Sequence, residues 1–171
     1  MNDATAGDRS WSLTDEEGGV LSARWWKWAL SAPRRRSPVL DRTGEHAGWK
    51  QPKDLWFLAG TYGGRVERRC EVPTDRPVFF PVLNVQYLRQ TSRKPLTLAV
   101  ARAEAYLNGA PLPLREFTAK PFWAALTPRD GWGIWAGIAP LAPGQYVLEI
   151  KASTVEGFWV DTTYHLSATD R

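Results

Sequence analysis

Glycine and proline punctuate this chain so closely that a long helix has almost nowhere to form. Fourteen Gly and thirteen Pro are spread over 171 residues, and in a helix interior each Gly costs about 1 kcal/mol and each Pro about 3 kcal/mol relative to Ala. One stretch escapes. Ser22 precedes residues 23–30, where Trp25, Trp28 and Ala29 stand at i, i+3 and i+4 and share one face. This spacing predicts a short helix over 22–31, ended before Pro33 because the residue ahead of a proline is pushed out of the α region. Thr14-Asp15-Glu16-Glu17 has the form of a capping box, but Gly18-Gly19 follow at once, so a single turn is expected there. Residues 1–19 read as an N-terminal tail, and 20–171 as one domain.

Past a Pro- and Gly-rich loop over 33–53, the pattern turns to strands. Residues 55–59 are a short apolar run closed by Gly60. Residues 65–72 alternate, with Val66, Arg68, Cys70 and Val72 on one face and Arg65, Glu67, Arg69 and Glu71 on the other. Residues 78–85 read as a buried strand in which Pro81 predicts an edge or a bulge, and 96–102 as a further strand. Asn108-Gly109 predicts a type I′ turn, because both residues tolerate positive φ. Residues 144–152 and 158–166 alternate most cleanly, the second with Phe158, Val160, Thr162, Tyr164 and Leu166 opposite Trp159, Asp161, Thr163 and His165. Many short strands with one helper helix predict an all-β fold, an antiparallel β-sandwich of jelly-roll type or an open barrel with one short N-terminal helix.

Several segments together resemble a large group of uncharacterised, often exported bacterial proteins. They are Trp25-x-x-Trp28, Ser37-Pro38-Val39-Leu40-Asp41-x-Thr43-Gly44, Leu55-Trp56-Phe57-Leu58-Ala59-Gly60-Thr61, Arg69-Cys70-x-Val72-Pro73, Phe79-Phe80-Pro81-Val82-Leu83-Asn84, Pro140-Leu141-x-Pro143-Gly144 and Val160-Asp161-x-Thr163-Tyr164. The resemblance covers about residues 25–167 and implies a β-sandwich of a sugar-binding type. It also implies a second cysteine near position 47, paired with the one at 70. This chain has Ala47 there, beside His46. With one thiol and no signal peptide over residues 1–10, a cytoplasmic, reducing location is expected, or export by another route. Cys70 then reads as a small buried hydrophobe.

Composition narrows the chemistry. Hydrophobic residues are 43% and charged residues 23%, which excludes wholesale disorder. One Cys excludes an intramolecular disulfide, two His exclude a zinc site built mainly from His and Cys, and no apolar run nears the roughly 20 residues of a membrane span. Walker, dinucleotide, zincin and nucleophile-elbow motifs are missing. Asp161 and His165, four apart on one strand face, sit about 13 Å apart and cannot form a dyad. No catalytic residue, metal or cofactor is therefore expected. The net charge of +4 is uneven: residues 1–23 carry −4, 24–102 carry +10 and 103–171 carry −2. Arg34-Arg35-Arg36 form the densest basic run, either a patch for an acidic partner or a solvated loop.

Tryptophan is the anomaly, with ten residues. Trp25, Trp28, Trp56 and Trp123 stand in apolar contexts and read as core. Trp49, Trp132, Trp135 and Trp159 stand beside Gly or charge, where a large aromatic is expected at a surface or cleft. In Asp130-Gly131-Trp132-Gly133-Ile134-Trp135 an indole could stack on a ring while Asp130 bonds a hydroxyl. Trp49, Asp130, Trp132, Trp135 and Trp159 are thus the candidate ligand-binding residues. The expected function is a non-enzymatic binding module for a carbohydrate or similar polyol. Two alternatives stand beside it: a structural or assembly subunit, with a protein partner or a homo-oligomer, and a cofactor-free small-molecule isomerase or cyclase. Nucleic acid is disfavoured as a partner, because the aromatics do not interleave with the basic run.

Overall fold

The computed structural model describes residues 9–89 and 97–170. Among these residues, helix α1 (Asp15–Ser31) and a 3₁₀ turn at Arg34–Arg36 precede ten strands. They are β1 (Trp56–Phe57), β2 (Gly64–Pro73), β3 (Val78–Leu88), β4 (Val100–Leu107), β5 (Ala110–Pro111), β6 (Arg115–Thr118), β7 (Phe122–Ala124), β8 (Thr127–Ile138), β9 (Gly144–Thr154) and β10 (Trp159–Thr169). The order β1-β3-β8-β6, with β7 also on β8, makes a curled central sheet, and β2-β10-β9-β4-β5 make an outer sheet. The all-β sandwich with one helix is observed. It is mixed rather than purely antiparallel: β1 runs parallel to β3, and β2 parallel to β10. Neither pair is joined by a hairpin, so no tight turn forces antiparallel pairing.

The layers follow from where apolar side chains fall. On β10, Val160, Thr162, Tyr164, Leu166 and Ala168 are buried while Asp161, Thr163, His165 and Ser167 alternate outward. The central sheet is covered on both faces, which is why β3 begins as a continuous apolar run. Val78, Phe80, Leu83, Ala136 and Ile138 face the outer sheet. Phe79, Phe117 and Trp135 face α1 and meet Trp25 and Trp28. There Phe79 stacks on Trp135 (centroids 4.9 Å, planes 8° apart), and Trp25 meets Trp135 edge-on at 5.5 Å. The register slips between Pro81 and Leu83, so the bulge foreseen at Pro81 lies in the middle of the central sheet. Asn108 and Gly109, at φ 49° and 78°, close the β4–β5 hairpin.

Several expectations are corrected. The helix does not stop at Gly18-Gly19; it starts at the Thr14 capping box and runs seventeen residues. Those glycines are contact points. A Cβ on Gly18 would lie 2.2 Å from the Phe117 ring, and one on Gly19 would lie 2.9 Å from the Thr118 carbonyl oxygen. The N-terminal tail is likewise partly structured, since Ser10 bridges Ile138 and the Trp11 N–H donates to the Gly137 carbonyl at 3.1 Å. The segment 127–138, for which no element was expected, is strand β8. Its glycines leave room for indoles: a Cβ on Gly131 would meet Trp26 at 3.2 Å, on Gly133 Trp135 at 2.7 Å, and on Gly137 Trp11 at 3.0 Å. The strand expected over 96–102 begins at Val100, and residue 96 lies outside the described residues.

Gly18→Ala sets two effects against each other. Helix propensity would favour Ala by about 1 kcal/mol, whereas overpacking of this kind costs about 1–3 kcal/mol. At 2.2 Å from a buried ring the clash wins. Gly18→Ala should lower the unfolding free energy by about 1–2 kcal/mol in urea titrations, and adding Phe117→Leu should restore part of it. A raised midpoint in the single variant would contradict this packing.

Candidate functional site

The candidate residues do not converge. Trp135 is fully buried and Trp132 is 6% exposed. They stand three apart on β8, so they project from opposite faces of the central sheet. The Trp135 indole lies against α1, and its Nε1 is buried without an acceptor among the described residues. The Trp132 indole donates to Glu116 Oε1 at 2.7 Å. The expectation that both are exposed is therefore wrong. Glycine neighbours were taken to place these rings at a surface or cleft, whereas here they make slots for rings. Trp123 errs in the other direction: it was expected in the core and is 63% exposed on β7. Asp130 pairs with Arg89 at 3.5 Å and lies on the face of β8 away from Trp135, so these two cannot serve one ligand. Trp49 is half-buried; its Nε1 donates to Ser31 Oγ at 3.2 Å and the Lys50 ammonium sits 5.1 Å over its ring. Arg34, Arg35 and Arg36 form an exposed turn after α1. Trp25, Trp28 and Trp56 lie in the core as expected.

Trp159, in contrast, is 48% exposed and has company. Val160 of β10 pairs with Gly64 of β2, which sets Trp159 beside the Gly63-Gly64 corner. Both glycines have φ in the left-handed region (128° and 82°), and the Phe158 ring would come within 3.2 Å of a Cβ on Gly63. Phe158 is 41% and Tyr62 67% exposed. Three open aromatic rings thus occupy one end of the sandwich. Two polar groups adjoin them: Arg65 Nε donates to Asp161 Oδ2 at 3.1 Å, on the outward face that Trp159 shares. Behind Phe158, a small cavity of about 30 Å³ runs between the sheets, lined by Gly60, Thr61 and Thr162 among others. It has room for about one water.

Arg68 fixes this end in place. Its side chain projects with Val66 and Val72 toward the interior and is 1% exposed. Nε donates to the Asp41 carbonyl at 2.7 Å and Nη2 to the Val39 carbonyl at 3.0 Å. Nη1 donates to the carbonyls of Ala59 and Gly60 and to Tyr164 Oη. The Gly60 carbonyl is thereby held two residues before Tyr62. Burial pushes the Tyr164 phenol up to about 12, although Arg68 opposes it. Asp41 is buried too. Desolvation raises its pKa, but the N–H groups of Thr43, His46 and Gly44 and the Thr43 hydroxyl outweigh that and hold it below the usual range.

The other reactive groups are committed. Burial pushes the Cys70 thiol up to about 12, the nearby Arg68 charge notwithstanding, so it stays protonated at neutral pH and is a poor nucleophile. His165 bonds Glu67 at 2.5 Å across the outer face, not Asp161. His46 lies 3.4 Å from Glu45 in the loop after α1. Among the described residues no group of three or more His, Cys, Asp or Glu could hold a metal ion, and no helix is long and apolar enough to cross a membrane.

Two measurements check this geometry. Arg68→Met keeps the volume and leaves buried carbonyls unpaired, so it should lose about 3–5 kcal/mol of stability in denaturant titrations; a loss under about 1 kcal/mol would mean that the network is dispensable. Asp41 titrates lower when folded than when unfolded. Its contribution is complete above its unfolded pKa of about 4 and is lost as pH falls through the lower folded value. The stability gap between the natural chain and Asp41→Asn should therefore be constant at neutral pH and shrink below about pH 4.

The chain matches no protein-family model, no curated protein and no solved structure.

Proposed function

We propose that this chain is a non-enzymatic binding module that recognises a carbohydrate or similar polyol at the Tyr62–Phe158–Trp159 end of the sandwich. One observation carries the reading: three rings, 67%, 41% and 48% exposed, flank one glycine-built corner, with Trp159 on the outward face that carries Arg65 and Asp161. Eight of the nine other tryptophans are enclosed or half-enclosed in packing, so exposure at this corner is not a general overflow of aromatics. A sugar ring presents C–H faces that suit an aromatic platform and hydroxyls at its edge. Asp161 can accept from such hydroxyls and Arg65 can donate to them. The Arg65–Asp161 pair, with Arg65 largely exposed, contributes little to stability and is free to re-pair with a ligand.

A second reading, an assembly subunit, has one observation in its favour. Trp123 and Leu126 project from the β7–β8 hairpin, Leu126 at 94% exposure, and the turn residues Ala125 and Leu126 both hold φ near 50–60° without being glycine. It requires a solution mass well above 19.3 kDa that falls on Leu126→Gly.

Titration calorimetry with neutral and acidic oligosaccharides tests the first reading. Saturable binding should weaken about tenfold or more in Trp159→Ala and Phe158→Ala and stay unchanged in Trp123→Ala. Binding by none of the sugars, or binding indifferent to Trp159, would sink it.

A further inference from the structure

The tip of the β7–β8 hairpin carries two costs that a turn of this shape does not need. Ala124 pairs with Thr127, so Ala125 and Leu126 alone close the hairpin. Their φ values are 49° and 63°, in the left-handed region that Asn-Gly takes freely and that other side chains resist. Leu126 is also 94% exposed. Asn-Gly would remove both the strain and the open leucine, so stability does not explain the residues present. Strain of this kind clusters at sites of function. Trp123, 63% exposed on β7, and Leu88, 52% exposed on β3, lie at the same end of the central sheet.

The ladder sets cations behind this tip. Pro128 stands between Trp123 of β7, with which it pairs, and Arg89, whose N–H donates to the Pro128 carbonyl at 3.0 Å. Arg129 stands between Phe122 of β7 and Leu88 of β3. A strand rises about 3.4 Å per residue, so both arginines leave the backbone about 7–10 Å behind Leu126. An apolar segment lodged at the headgroup and acyl boundary of a bilayer sits about 5–10 Å deep, which brings these guanidiniums to the level of the lipid phosphates. Tryptophan favours the same boundary, having an apolar body and a polar N–H. Arg129 bonds Gln86 and Thr127, neutral groups that leave its charge uncompensated. Arg89 pairs with Asp130 at 3.5 Å, and Lys120, two residues before Phe122, pairs loosely with Glu16 at 3.8 Å. The end as a whole keeps a positive excess.

A second copy of the chain is the alternative occupant, and area speaks against it. Even at about 250 Å² for each whole side chain, the area of the largest aromatic, Leu88, Trp123 and Leu126 fall short of the about 800 Å² that each partner gives to a stable interface. A bilayer makes no such demand, because a few apolar side chains and nearby cations act on it together.

We propose that the β7–β8 tip inserts shallowly into the surface of an anionic lipid bilayer, with Leu126 and Trp123 at the acyl boundary and Arg89 and Arg129 on lipid phosphates. The proposal shares no residue with the sugar-binding corner and stands without it. Co-sedimentation with vesicles tests it, using equal parts phosphatidylglycerol and phosphatidylcholine, or phosphatidylcholine alone. The natural chain should bind the mixed vesicles and bind the neutral ones at least about fivefold less. Ala125→Asn combined with Leu126→Gly should weaken binding about tenfold while the Tm stays or rises, because the turn is relieved. Arg89→Gln should weaken binding to the mixed vesicles about fivefold and leave the neutral ones unchanged. Phosphatidylcholine brominated on its acyl chains, mixed with phosphatidylglycerol, should quench tryptophan emission in the natural chain and hardly in Trp123→Phe. Absence of binding to the mixed vesicles overturns the proposal, as does equal binding by the turn variant or equal quenching in Trp123→Phe. A solution mass of twice 19.3 kDa that falls to one chain in the turn variant also overturns it, and gives the tip to a second copy.

Discussion

The buried guanidinium of Arg68 is the constraint on which the rest of the molecule depends. A charge taken out of water is costly unless its hydrogen bonds are met. Arg68 meets them with four carbonyl oxygens and a phenol, not with a carboxylate. Those acceptors come from three places: the loop after α1 (Val39, Asp41), the strand end after β1 (Ala59, Gly60) and β10 (Tyr164). Tyr164 in turn donates to the Ala59 carbonyl at 2.8 Å. Elements far apart in sequence thus share one centre. The loop after α1 has little regular structure of its own, and this centre together with the Asp41 turn gives it a fixed path.

The second organising device is size matching. Large rings and missing Cβ atoms occur as partners: Gly18 with Phe117, Gly131 with Trp26, Gly133 with Trp135, Gly137 with Trp11. An indole buries more area than any other side chain, but it needs close approach to a backbone to do so without voids. Glycine inside a strand or helix costs conformational entropy, and burying a neighbouring ring offsets that cost. The result is a helix pressed close to the central sheet, with tryptophan packed into both of that sheet's faces.

Much of this was legible in the residues. Period-two alternation located β2, β9 and β10, and Asn108-Gly109 located the β4–β5 turn. Arg68 was visible as an arginine on the apolar face of β2, though its partners were not, because they lie as far as 96 residues away. The misplacement of the β8 tryptophans has one cause. Glycine is read as a marker of loops and exposure, and β8, with Gly131, Gly133 and Gly137, uses it for packing. Trp132 and Trp135 were misplaced for that reason. Phe158 and Tyr62 were missed at the candidate site because alternation put Phe158 on the inner face with Val160. In the structure β10 begins only at Trp159, so Phe158 falls beyond the shelter of the facing sheet. The exposed Ala125-Leu126 turn could not be read at all, since neither residue favours positive φ.

The parallel pairing of β2 with β10 also governs the order in which the chain can assemble. Among the described residues β2 pairs with no strand but β10, and Arg68 finds the Tyr164 hydroxyl only after 96 further residues have been made. During synthesis the helix, β1 and β3 can gather early around Trp25 and Phe79. β2 must wait, with an open edge and an uncommitted arginine, until the outer sheet is nearly complete. Long-range closure of this kind is slow, and an unpaired edge held open meanwhile is a template for the wrong neighbour. The alternating Arg65, Glu67, Arg69 and Glu71 on the outward face of β2 keep that waiting strand highly charged, and so in solution rather than in an aggregate.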